Sequence, residues 1–226
     1  MLLRLARPIT AGAALPLEKG GRYVAITVDD FFQSFLINGL PELCRRKIPV
    51  TLFPPTGFLG QKSSWKDYGG ENKVGEEVAS ADDLKRIAQL DHVDFGSHCV
   101  SHPDLTLLSE TEARNELGLS KESLEALIGR EVTTLSFPYG SYGPRELQLA
   151  RETGYTFFFG STPQTLFARF EGGLVGRVDV QPTDWNIEFR LKVSGAYRWI
   201  GRASAWKRKC RACFNHLPQI EKPIHG

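Results

Sequence analysis

Short apolar, β-branched runs alternate with helix-patterned stretches from residue 23 onward, and that alternation admits few folds. Residues 23–28, 50–53, 91–95, 133–137, 155–159 and 174–178 read as strands. Residues 34–46, 80–90, 109–128 and 143–153 read as helices between them. Ser80 with Asp83, and Ser109 with Glu112, stand at capping-box spacing. Pro144 suits a first helical turn and Gly154 a helix end. Over 185–200, Phe189, Val193, Tyr197 and Ile200 recur at helical spacing. Strands that alternate with helices imply a parallel sheet, open or closed into a barrel. The 226 residues suit one domain over 1–226, with an irregular lead-in at 1–21 and a basic tail at 202–226.

The net charge of +2 names no partner, and no nucleic acid is expected. No apolar run is long enough for a transmembrane segment. Arg4, Arg7 and Pro8 interrupt what would be the apolar region of an export signal, so the expected location is cytoplasmic. Cys44 and Cys99 are isolated, and Cys210-x-x-Cys213 lacks a second pair for a zinc site. Arg202, Lys207, Arg208, Lys209 and Arg211 form a basic stretch at 202–211. It reads as a solvated tail or as a surface for an anionic polymer or lipid headgroups. The Gly- and Lys-rich loop at 54–78 carries Trp65 and Tyr68, which would either pack on the core or stack on a sugar ring.

Three polar segments fall at the C-terminal ends of expected strands, the edge where parallel α/β proteins build active sites. They are Thr27-Val28-Asp29-Asp30, the stretch from Ser97 through His98 and His102 to Pro103, and Ser136-Phe137-Pro138-Tyr139-Gly140. Adjacent carboxylates repel, so one must be neutralised or tied to a cation. Two imidazoles four residues apart offer nitrogen ligands, and one carboxylate completes three protein ligands with a position left for water. The second carboxylate is then free to act as a base. An Asp-Asp pair alone is usually a turn or cap, and His-x-x-x-His alone is usually a surface pair. Their coincidence at strand ends of one sheet is what points to a metal.

The ordered set resembles the polysaccharide deacetylases, the NodB-homology group of carbohydrate esterases (family four). That family's motifs run T-F-D-D-G, H-[ST]-x-x-H, R-x-P-Y-G, D-x-x-D-W and L-x-H. Thr27 to Asp30 matches the first, His98 to His102 the second and Pro138 to Gly140 most of the third. Asp179 to Trp185 looks like a loosened fourth. The resemblance implies a distorted (β/α) barrel of six or seven strands, here short of elements at its C-terminal end. It implies Asp29 as general base and Asp30, His98 and His102 as ligands to one divalent metal, Zn2+ foremost, with Co2+ or Mn2+ serving some members. The backbone N–H of Tyr139 would hold an oxyanion, and Pro138, Tyr139 and Trp185 would line the glycan. The implied reaction removes N-acetyl groups from an N-acetylated polysaccharide or oligosaccharide.

The chain departs from the family at three places. Phe31 replaces the Gly after Asp-Asp, and Ser136 stands where an Arg would orient the base. Arg177 is placed either to supply that charge from another strand end or to serve as an ordinary surface or salt-bridge residue. No strand with L-x-H follows Trp185, and His216 is its one loose candidate. Two alternatives therefore stand: hydrolysis of a small non-sugar amide, and a catalytically weak, metal-containing carbohydrate-binding protein. A retained Asp29 beside Asp30 counts against the binder, which needs no spare base.

Overall fold

The computed structural model describes residues 1–12, 18, 20–65, 75–161, 173–181 and 183–197. Among them run seven strands: β1 (Arg7–Ile9), β2 (Tyr23–Asp29), β3 (Val50–Phe53), β4 (Val93–Phe95), β5 (Thr134–Ser136), β6 (Phe157–Gly160) and β7 (Leu174–Gly176). Neighbours pair in parallel, in the orders β1-β2-β3-β4 and β5-β6-β7. Ser97 joins the two sets. Its N–H donates to the Thr134 carbonyl and its own carbonyl accepts from Ser136, both at 2.9 Å. The sheet curls so far that Arg177, just past β7, meets Asp29 at the end of β2. This curled parallel half-barrel is the α/β fold that the alternation implied.

Alternation along each strand divides the core in two. All four residues of β3 are buried, as in a parallel sheet covered on both faces. Val50 and Leu52 face outward with Phe95, Leu135 and Phe158, against helix residues such as Leu84, Ile87, Leu117 and Leu149. Phe53, Phe159 and Val175 face the concave side and pack there with Ala11.

The helices are α1 (Gln33–Asn38), α2 (Leu40–Arg45), α3 (Ala81–Ile87), α4 (Glu110–Ile128), α5 (Pro144–Glu152) and α6 (Asn186–Val193). Both expected capping boxes form, Ser80 with Asp83 and Ser109 with Glu112. α4 ends at Gly129, whose φ of 69° suits a residue without Cβ. No helix among the described residues is long and apolar enough to cross a membrane.

Two local expectations differ from the structure. The single helix expected at 34–46 is broken at Gly39, because Pro41 has no N–H to donate and its ring obstructs the carbonyl four residues back. The expected irregular lead-in is ordered over residues 1–12: Leu2–Arg4 is a 3-10 helix, β1 pairs with β2, and Ala11 fills the concave face. Pro8 is tolerated because β1, among the described residues, pairs on one side only. Tyr68, Cys210, Cys213, His216 and the basic stretch 202–211 lie outside the described residues.

Candidate metal centre and base

β2 ends on a turn that the backbone resists. Asp30 and Phe31 both hold left-handed φ, at 66° and 55°. Such a conformation costs a side-chain-bearing residue about 1–3 kcal/mol. Burial of the Phe31 ring, which is 0% exposed and packs edge-on to Phe95 at 5.8 Å, offsets it by about 1.5–3 kcal/mol. Phe31 therefore takes a conformation that Gly would adopt freely, and anchors it by packing. The turn sends the two carboxylates to different surroundings.

Asp30 turns toward the loop after β4. Its Oδ1 lies 3.3 Å from His102 Nε2 and 3.7 Å from His98 Nε2. All three side chains are buried, and their ligand atoms lie within 4.8 Å of one another. His98 Nδ1 is 2.7 Å from the Ser136 carbonyl, which can only accept, so the proton sits on Nδ1 and the Nε2 lone pair is free. Burial foremost, then His102, lowers the His98 pKa against the opposing pull of Asp29 and Asp30, which keeps the ring neutral. Asp30 Oδ1 and His102 Nδ1 are buried without a hydrogen-bond partner among the described residues. Ligands at about 2.0–2.1 Å in a tetrahedral zinc site stand roughly 3.3–3.4 Å apart. An orphaned carboxylate oxygen between two imidazole nitrogens at 3.3 and 3.7 Å thus fits a small divalent cation.

Aromatic rings wall this cluster. Trp65 stacks on His102 with centroids 4.5 Å apart and planes 14° from parallel, and packs also on Phe32 and Phe58. It is buried, so it does not offer a free sugar platform. Tyr139 meets His102 edge-on at 4.7 Å from the 3-10 turn Pro138–Gly140, with its own φ at 59°.

Asp29 turns the other way, toward β5 and β7. Arg177 donates Nη1–H to Oδ1 and Nη2–H to Oδ2, both at 2.7 Å, and Ser136 Oγ donates to Oδ2 at 3.2 Å. The guanidinium also reaches Ser136 Oγ at 2.8 Å and Thr27 Oγ1 at 3.2 Å, and lies over the Phe53 and Phe159 rings. Burial acts to raise the Asp29 pKa. The Arg177 charge, His98 and the Arg177 and Ser136 hydrogen bonds outweigh it and hold the carboxyl far below the usual range. Arg177 is thus placed against Asp29 and not on the surface, while Ser136, read only as a missing Arg, shares the same carboxylate. The contact spans 148 positions, and of the two roles open to Arg177 in the sequence it takes the one that supplies the charge missing at position 136.

The loosened fourth motif is not drawn into this cluster. Asp184 pairs with Lys192 at 2.7 Å. Trp185, at the N-cap of α6, is 77% exposed.

A family model described as polysaccharide deacetylase matches residues 17–158. YxkH of Bacillus subtilis is 27% identical over 132 residues, covering 58% of this chain and 42% of that protein. A peptidoglycan-N-acetylglucosamine deacetylase of Bacillus cereus is 36% identical over 72 residues, 32% of this chain and 26% of that protein. A poly-beta-1,6-N-acetyl-D-glucosamine N-deacetylase of Staphylococcus aureus is 25% identical over 166 residues, 68% of this chain and 54% of that protein. The chain thus spans about half or less of these relatives' length. Among solved structures, IcaB from Ammonifex degensii superposes with a TM-score of 0.71 at 22% identity, over 85% of this chain and 84% of that one. At that identity the likeness speaks for the fold.

Proposed function

The chain belongs to the polysaccharide deacetylase family, and from that membership we propose that it is a metal-dependent hydrolase removing N-acetyl groups from an N-acetylated glycan. The observation that carries the reading is the split between the paired carboxylates. Asp30 converges with His98 and His102 around an unsatisfied oxygen, while Asp29 beside it is fully engaged by Arg177 and Ser136. When bound, a divalent cation supplies Lewis acidity that polarises an amide carbonyl and makes water a stronger acid. Zn2+ suits two imidazoles and a carboxylate best.

The chain's own residues divide the remaining work. Asp29, held ionised, accepts the proton of the attacking water. Arg177 and Ser136 fix both Asp29 oxygens, so that the base does not swing onto the cation site. The Tyr139 backbone N–H, on its strained turn, would donate to the oxyanion, and the Tyr139 ring beside His102 would line the glycan, whereas Pro138 is buried and Trp185 stands apart from the cluster. The leaving amine takes its proton from solvent or from a group outside the described residues, where His216 lies. The similarity to the Staphylococcus aureus enzyme supports a poly-N-acetylglucosamine-type polymer as substrate. The engaged base supports an enzyme over a carbohydrate-binding protein.

Acetate release from N-acetylglucosamine oligomers tests the assignment. Asp29→Asn should keep its metal and lose turnover by about 10²–10⁴-fold, the usual worth of a general base. Unchanged release by that variant would take Asp29 out of the base role.

A further inference from the structure

Both imidazoles of the site hang on one short loop, residues 98–102, whose backbone is unfavourable by itself. Cys99 and His102 hold left-handed φ of 64° and 55°, a region that residues with a side chain seldom occupy. Neither can take up that conformation reproducibly unless groups outside the loop hold it.

Those groups come mainly from α4. The Glu116 carboxylate accepts from Val100 N–H at 2.8 Å and Ser101 N–H at 2.9 Å through Oε2, and from the Ser101 hydroxyl at 2.7 Å through Oε1. One helical turn on, the buried Ser120 hydroxyl donates to the Cys99 carbonyl at 3.0 Å and lies 2.8 Å from Ser97 Oγ, which in turn accepts from Cys99 N–H. Residues i and i+4 share a helix face, so α4 presents both groups to the loop together. From the segment after β3, Thr56 N–H donates to the Cys99 carbonyl at 3.1 Å and Gly57 N–H to the Val100 carbonyl at 2.9 Å. That approach needs Gly57: a Cβ there would come within 2.9 Å of the Val100 oxygen. Every backbone donor from 99 to 101 is thereby engaged, and among these partners Glu116 alone is charged. Hydrogen bonds to an ionised acceptor are roughly twice as strong as neutral ones.

We propose that Glu116 is a positioning residue of the metal site, fixing the spacing and facing of His98 and His102 by gripping the loop between them. Glu116 coordinates nothing itself. It acts through the backbone of Val100 and Ser101, and Ser120 assists through Cys99. The inference rests on the reading of Asp30, His98 and His102 as a cation site.

Zinc affinity of the metal-free full chain, measured by competition with a chromophoric chelator, separates this role from simple stabilisation. The variants are Glu116→Gln, His102→Ala and, as a control on the exposed face of the same helix, Glu122→Gln. Denaturant unfolding of each metal-free protein runs alongside. Glu116→Gln should bind zinc at least about tenfold more weakly, as outer-shell partners of metal ligands do, while Glu122→Gln binds as the parent. Parental affinity in Glu116→Gln, whatever its stability, would overturn the proposal and leave the metal site standing if His102→Ala has lost zinc. Absence of zinc binding by the parent chain would instead overturn the site, and this inference with it. Should Glu116→Gln not fold, Glu116→Asp, which keeps the charge but shortens the reach, is read by the same two outcomes.

Discussion

The half of the site built on β2 and the loop after β4 is electrostatically unfinished, whereas the half built on β5 and β7 is complete without any added group. Asp30 Oδ1 has two imidazole nitrogens nearby and no hydrogen-bond donor among the described residues. Asp29, one residue earlier, receives donors on both oxygens. A buried carboxylate oxygen left unpaired is costly unless something cationic meets it, and a paired one is stable as it stands. The difference shows how one short turn gives adjacent, identical side chains different surroundings: one carboxylate oxygen is left open beside two imidazoles, and the other carboxylate is held ionised by an arginine and a serine.

The largest effect should come from breaking the unfinished half. His102→Ala is expected to weaken zinc binding by more than about 100-fold, beyond the roughly 10–100-fold that outer partners contribute. Equilibrium titration reads this directly, and stoichiometric tight zinc in the variant would dissolve the contrast. Breaking the finished half should act on stability instead. Arg177→Met strands Asp29 without its partner and is expected to cost about 3 kcal/mol in denaturant unfolding while zinc binding persists. The pH dependence follows from the lowered Asp29 pKa. Its stabilisation is complete above the unfolded carboxyl value of 3.8 and is lost as pH falls through the lower folded value. The stability gap between the parent chain and Arg177→Met should therefore narrow below about pH 4. A gap that widened with acid would contradict the pairing.

The turn itself can be probed next. Phe31→Gly removes about 3–5 kcal/mol of packing but relieves about 1–3 kcal/mol of backbone strain, so a net loss of roughly 2 kcal/mol is expected. A stabilised variant would show that the φ of 55° and not the buried ring dominates. The smallest effect belongs to Ser136→Ala, about 1 kcal/mol for one hydrogen bond among several. Thermal unfolding is precise enough to see it.

The two halves were also unequally legible in the sequence. Thr27 to Asp30 and His98 to His102 carry the unfinished half in two contiguous stretches, each at the end of an apolar run, so local pattern suffices to find them. The longer strands announce themselves as short apolar, β-branched runs, as in β3, and α3 and α4 by their capping boxes. The finished half depends on curvature. Arg177 meets Asp29 only because the sheet bends round on itself, and no periodicity encodes a contact of that range. Trp65 is similar: its ring could face sugar or core, and only its 4.5 Å stack on His102 decides. β1 hid because Arg-Pro-Ile is too short for a period of two to register. The break at Gly39 was written in Pro41, whose effect on the preceding turn outweighs the apolar spacing around it.

The claim that Asp30, His98 and His102 form a cation site is tested most directly by titrating the metal-free full chain with Zn2+ and reading stoichiometry and affinity together. One tight equivalent per chain, lost in His102→Ala and retained in Asp29→Asn, is the expected result. No tight binding by the parent chain, or equal binding by both variants, would contradict the account.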